Sequence, residues 1–108
     1  MPKYLLSFLL YILALFPAYA DVIEFFEPEI DGKRLDWCLS WGKDCGQDVA
    51  YVWCIKNGYI KAIYWEADKG IGKKYPTMML NSRQVCNKNS CSGFRTIVCY
   101  REFEAITK

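Results

Sequence analysis

The chain has 108 residues with 14 basic and 12 acidic side chains, and it contains no histidine. The missing histidine excludes Ser-His-Asp and Cys-His catalysis, and a formal charge of +2 is far below the basic footprint of nucleic-acid binding. This length fits one domain, whose core alone gives marginal stability.

The first twenty residues predict a secretory signal peptide. Lys3 supplies a short positive start, residues 5–16 are almost entirely apolar, and Ala18-Tyr19-Ala20 suits signal peptidase. The apolar segment spans 16 residues when counted from Leu5 through Ala20, short of the ~20 that a membrane-spanning helix needs. We therefore expect cleavage after Ala20 and a secreted protein.

Residues 21–36 form an acidic N-terminal arm, with six acids against two bases. Acids alternate with apolar residues, and Pro28 and Asp31-Gly32 interrupt the pattern. This indicates an extended arm or an edge strand, followed by a turn. Residues 37–108 carry eleven bases, six acids and all six cysteines, and we expect them to form a disulfide-stapled globular domain.

Residues 47–57 predict a short helix, with Asp48 as its N-cap and Asn57-Gly58 at its end. The alternative is a strand, because the segment is rich in β-branched and aromatic residues. Helical spacing separates two faces: a core face of Val49, Ala50, Trp53 and Cys54, and a more exposed face of Tyr51, Val52 and Ile55.

Strands are expected after the helix. In residues 59–67, Lys61, Ile63 and Trp65 share one face, and one face of this strand belongs to the core. A basic turn over 68–74 precedes two short strands at 77–80 and 84–86, and 94–103 is the strongest strand. The fold class that follows is α+β, with one short helix packed on a small antiparallel sheet.

Six cysteines in a secreted chain predict three disulfides, for which fifteen pairings exist. Cys86 and Cys91 flank four polar residues and suit a staple at a hairpin end. Cys54 on the helix and Cys99 in the last strand suit a link between the two layers, which leaves Cys38 with Cys45. We favour this set, although the sequence alone does not choose it.

Metal and enzyme chemistry are both disfavoured, and no cofactor is expected. Zinc needs closely spaced Cys or His ligands, and only Cys86-x₄-Cys91 fits loosely. No phosphate-binding glycine loop is present. Two pairs of carboxylates could still serve as the catalytic groups of a hydrolase. A hydrolase requires a cleft between the two carboxylates, however, and a small sheet offers little room for one. These pairs are Asp44 with Asp48, and Glu66 with Asp68.

Two groups of residues are candidates for binding. Trp37 and Trp41 lie in a cysteine-flanked loop, where tryptophans either anchor a sugar or protein partner or simply cover the disulfides. Tyr51 on the exposed helix face joins them as a candidate. The basic turn either binds an anionic surface or remains solvated. The candidate binding residues in this turn are Lys69, Lys73 and Lys74.

One run of motifs extends from Arg34 to Cys99. It reads RLD-W-C, WG-x-x-CG, VA-x-x-x-C and GY-x-x-A, followed by T-x-x-L and C-x₄-C-x-GF-x-x-I-x-C. This pattern resembles a family of small secreted cysteine-rich plant proteins of uncharacterised function. The resemblance covers about two thirds of the chain, and its cysteine frame is its most specific part. It implies secretion and three disulfides, and it transfers no binding residue.

Together these features predict a secreted, monomeric, non-enzymatic interaction protein of plant defence or the cell wall. Its expected partner is a cell-wall polysaccharide or an extracellular protein. One alternative is a membrane-active antimicrobial protein, which a net charge of only +1 after cleavage disfavours. A small carboxylate-dependent hydrolase is the weaker alternative.

Overall fold

The computed structural model describes residues 20–102, so the predicted signal peptide lies outside the described residues except for Ala20. Within 20–102 the chain forms nine strands and one helix, in this order: β1 (Ala20–Phe26), β2 (Glu29–Ile30), β3 (Lys33–Leu35), β4 (Cys38–Ser40), β5 (Lys43–Cys45), α1 (Gln47–Lys56), β6 (Lys61–Asp68), β7 (Thr77–Met78), β8 (Val85–Cys86) and β9 (Gly93–Glu102). This confirms the α+β fold with one helix on antiparallel strands. No helix of the described part is long and apolar enough to span a membrane.

The main sheet has three antiparallel strands in the order β1-β9-β6. β9 is the central strand and the longest, with 10 residues, which agrees with its prediction as the strongest strand. Ile97 and Cys99 on β9 are fully buried and face α1. The sheet therefore buries one face against the helix and leaves the other open.

Residues 21–36 belong to the folded unit. β1 pairs with β9 along its whole length, as the edge-strand alternative predicts. The β2–β3 hairpin then joins a second sheet in the order β2-β3-β7-β8, in which β3 and β7 run parallel. Leu35 at the end of β3 is fully buried. The acidic segment thus supplies both an edge strand and part of the core.

Helix α1 ends as predicted but begins differently. The N-cap is Gly46 rather than Asp48, and no side chain caps the helix. Gly46 has φ 66°, and a Cβ there would lie 2.9 Å from the Trp37 ring, so this position requires glycine. At the other end Gly58 takes φ 89°, and the Tyr59 N–H donates to the Cys54 carbonyl at 2.9 Å, which terminates the helix.

The two faces of α1 separate as predicted except at Val52, which was expected on the exposed face but is partly buried and packs against the core. Val49, Ala50 and Cys54 are buried, and Trp53 packs against the core while partly exposed. Tyr51 on the opposite face is exposed. The apolar residues of the helix therefore serve mostly the core.

The predicted alternation in β6 is wrong beyond its second residue. The register with β9 shifts between Ala62 and Tyr64, so that Ile63 is the extra residue of a β-bulge. The bulge turns Trp65 to the same side as Ala62, and both pack on the core. Lys61 lies on the opposite face, which is why it does not share a face with Trp65.

The three expected disulfides are confirmed: Cys38–Cys45, Cys54–Cys99 and Cys86–Cys91. The second of these joins α1 to β9, and both its cysteines are fully buried. Three disulfides and no free cysteine within residues 20–102 indicate an extracellular or secreted protein. The main core comprises Leu35, Leu39, Val49, Ala50, Cys54, Leu80, Phe94, Ile97 and Cys99.

Candidate functional site

The structure brings together only two of the residues predicted for binding. Trp37 and Trp41 line one groove, and Lys74 lines a separate cleft. The remaining candidates are exposed and line neither of these two concavities: Tyr51 on α1, and Lys69 and Lys73 between β6 and β7. The predicted aromatic and basic groups therefore do not form one continuous site.

The first concavity, which we call the tryptophan groove, has a volume of about 200 Å³. It lies between the Cys38–Cys45 and Cys86–Cys91 disulfides, since one cysteine of the first and both of the second line it. Both disulfides close short loops, so the walls of the groove have little freedom to move. The remaining lining includes Trp37, Trp41, Ser90 and Ser92.

Trp37 forms a wall of this groove and also belongs to the core. Its ring lies 4.7 Å from the ring of Phe94, at a tilt of 37°. Its backbone N–H donates to the Ser92 carbonyl at 2.8 Å, and its carbonyl accepts from Gly46 N–H at the same distance. Trp37 is therefore held in place and presents only part of its indole to solvent.

Trp41 is the exposed aromatic of the groove. It lies with Gly42 in the two-residue turn between β4 and β5, where Ser40 pairs with Lys43. Gly42 has φ 62°, the left-handed conformation that favours glycine at the second central position of a turn. The indole is 47% exposed. The hairpin thus displays a large aromatic side chain on a base closed by a disulfide.

The lining of the groove includes a buried carboxylate, Asp36, that local sequence patterns did not indicate. Asp36 is 4% exposed and accepts two hydrogen bonds. The Cys38 N–H donates to Oδ2 at 2.9 Å, and the Thr77 hydroxyl donates to Oδ1 at 2.5 Å. Because both oxygens have partners within the protein, Asp36 supports the loop.

The second concavity, which we call the polar cleft, has a volume of about 270 Å³. Arg34 lines it, and its Nη2 donates to Asp68 at 2.9 Å and to the Phe94 carbonyl at 2.8 Å. Arg95 also reaches Asp68, at 3.3 Å. Sequence patterns do not reveal the pair of Arg34 and Asp68, because the two residues are 34 positions apart and Arg34 is next to the fully buried Leu35.

The carboxylate pairs considered for a hydrolase do not meet in either concavity. Asp44 and Asp48 are exposed, on β5 and α1. Glu66 is exposed on β6, whereas Asp68 is held by the two arginines. These four groups therefore do not form a pair across a shared cleft of the kind that glycoside hydrolysis uses.

Comparison with protein-family models finds no match to the chain, and neither curated proteins nor solved structures match it. The likeness to small secreted plant proteins stays a prediction. The function is therefore inferred from the chemistry of the two concavities and of the exposed surface.

Proposed function

We propose that this chain is a secreted, non-enzymatic binding protein that holds a cell-wall polysaccharide across the tryptophan groove. The observation that carries the proposal is Trp41, an exposed indole displayed beside Trp37 on a disulfide-closed hairpin. The three disulfides support an extracellular setting, in which such polymers occur.

The chemistry of the groove suits a sugar ring. An indole offers a flat apolar face to the C–H groups of a pyranose, and it does so at low entropic cost because it has few rotatable bonds. Ser90 and Ser92 provide hydroxyls in the same groove. Short disulfide loops keep the walls in place before binding, which reduces the ordering cost that weakens flexible sites.

Replacing Trp41 by alanine is expected to weaken polysaccharide binding about 30-fold, as loss of an aromatic anchor worth ~2 kcal/mol does. The fold stays intact because the side chain is exposed at a hairpin tip. Affinity is measured by calorimetry against soluble plant and fungal cell-wall polysaccharides, and the fold by circular dichroism.

The matched control is Tyr64→Ala, which removes a 52% exposed aromatic side chain from β6, outside the tryptophan groove. We expect it to bind like the unmodified protein. A loss of affinity in Tyr64→Ala with none in Trp41→Ala would place the ligand on the sheet and contradict the proposal. Absence of binding to every polysaccharide tested would also contradict it.

A membrane-active function is the second candidate, because β6 and the residue before it present apolar side chains beside a lysine. Ile60, Ile63 and Tyr64 are exposed, and Lys61 lies between the first two along the chain. Lysine among apolar groups is the composition that anionic bilayers attract.

If the protein acts on membranes, we expect it to release dye from anionic vesicles at low salt. High salt should abolish the release, and the Ile63→Ser variant should release less dye. No release at any salt concentration would remove this candidate.

A further inference from the structure

We propose that the polar cleft is a second binding site, which accepts one uncharged sugar residue. This site is separate from the tryptophan groove and does not depend on it, because the two concavities share no lining residue. The proposal rests on three features: a fixed guanidinium, a balance of charged groups and an exposed tyrosine ring.

Arg34 is built into the wall of the cleft. Its side chain is only 7% exposed, and its Nη2 is fixed by Asp68 and by the Phe94 carbonyl. The Nε–H of the same guanidinium is buried and has no acceptor within residues 20–102. This nitrogen has almost no accessible surface, so a ligand oxygen accepts instead from the part of the Arg34 side chain that lines the cleft. The cleft therefore offers a pre-positioned donor.

The charged groups of the cleft do not favour an ion. Three acids face three bases: Glu27, Glu29 and Asp68 against Lys33, Arg34 and Lys74. Within the described residues, no three Asp, Glu, Cys or His side chains are arranged to hold a metal ion. A ligand that suits this set carries hydroxyls, since a hydroxyl donates to a carboxylate and accepts from an ammonium or guanidinium. A neutral polyol matches both kinds of partner.

Tyr75 adds the apolar surface that distinguishes a sugar from other polyols. Its side chain is 48% exposed at the cleft, with the Lys74 ammonium 5.4 Å from the ring centroid. The ring face packs against the C–H face of a pyranose, as aromatic side chains do with flat apolar groups. The volume of the polar cleft is just below ~300 Å³, the lower end of the range for pockets that bind drug-sized ligands. The cleft therefore has room for about one sugar ring.

The test follows backbone amide resonances of the oxidised protein while methyl glycosides of glucose, galactose, xylose and N-acetylglucosamine are added in turn. At least one is expected to shift the resonances of Lys33, Lys74 and Tyr75 in a saturable way, leaving Trp41 unchanged. Tyr75→Ala is expected to weaken this binding at least about tenfold, whereas Tyr75→Phe retains it because the ring remains. Glu29→Gln, which keeps the shape of the side chain and removes its charge, weakens it by a smaller factor.

The matched control is Tyr51→Ala, which removes a 51% exposed tyrosine ring from α1, outside both the polar cleft and the tryptophan groove. Trp41→Ala is expected to leave glycoside binding at the polar cleft unchanged. The proposal for the tryptophan groove and the proposal for the polar cleft can therefore be contradicted independently of each other. Saturable shifts with sulfate or a uronic acid alone would make the cleft an anion site and overturn the proposal. So would the absence of cleft shifts with all four glycosides, or an undiminished affinity in Tyr75→Ala.

Discussion

Replacing Cys54 and Cys99 together by alanine is expected to lower the free energy of unfolding by about 4 kcal/mol, enough to leave much of the protein unfolded at 37 °C. This disulfide joins residues 45 apart in sequence, and the chain-entropy model relates its effect to the length of the closed loop. Both cysteines are fully buried between α1 and β9, so their loss also removes contacts from the core. Urea unfolding, followed by tryptophan fluorescence, measures the change.

The control removes Cys38 and Cys45, which changes the same number of atoms. That pair joins residues only 7 positions apart in the β4–β5 hairpin, and the same model gives a smaller loss of about 2 kcal/mol. An equal loss in both double variants would contradict the assignment of Cys54–Cys99 as the main staple of the fold. So would a Cys54/Cys99 variant as stable as the unmodified protein.

Phe94→Ala is expected to destabilise the protein by about 3–5 kcal/mol, the range for removing a fully buried phenylalanine. Phe94 is 0% exposed and is the largest fully buried side chain among the described residues. Its ring contacts Trp37, and the surrounding structure is expected to relax only partly into the space that is left. The unfolding midpoint in urea, at unchanged slope, reports the effect.

The matched control is Phe26→Ala, which removes the same side chain from a site that is 70% exposed on β1. We expect it to change the stability by about 1 kcal/mol or less, the span of strand preferences on an open face. If the two alanine variants lost stability equally, Phe94 would not be the centre of the core.

Phe94 also connects the two proposed binding sites. Its ring supports Trp37 at the tryptophan groove, and its backbone carbonyl accepts a hydrogen bond from Arg34 at the polar cleft. A substitution at this position keeps the carbonyl, so it acts directly on the packing of Trp37 and reaches Arg34 only by moving strand β9. Variants meant to separate the two sites are better placed at Trp41 and Tyr75, which are exposed.

The features that could be predicted from the sequence are those that short-range patterns control. Helix α1 follows from 3.6-residue periodicity, and its end follows from Asn57-Gly58, because glycine readily takes the left-handed conformation found there. The pairing of Cys86 with Cys91 follows from their spacing across a polar turn. Strand β9 follows from its run of apolar and β-branched residues.

Other predictions failed because the deciding partner is distant in the chain. The faces of β6 depend on a bulge at Ile63, which is defined only by pairing with β9. The start of α1 depends on the Trp37 ring, which leaves room for glycine alone at Gly46, so Asp48 is not the cap. Neither contact leaves a mark in the local sequence.

By itself the sequence determined the fold class, helix α1 and the short Cys86–Cys91 link, because periodicity and spacing act within a few residues. Tertiary structure alone decided which side chains are available for binding. Trp37 and Trp41 are the same residue type four positions apart, yet the first packs on Phe94 and the second extends into solvent. The polar cleft likewise requires Arg34 to meet a carbonyl 60 residues away. Burial in this irregular loop depends on partners that are distant in the chain, such as Phe94, whereas on α1 it follows the helical period.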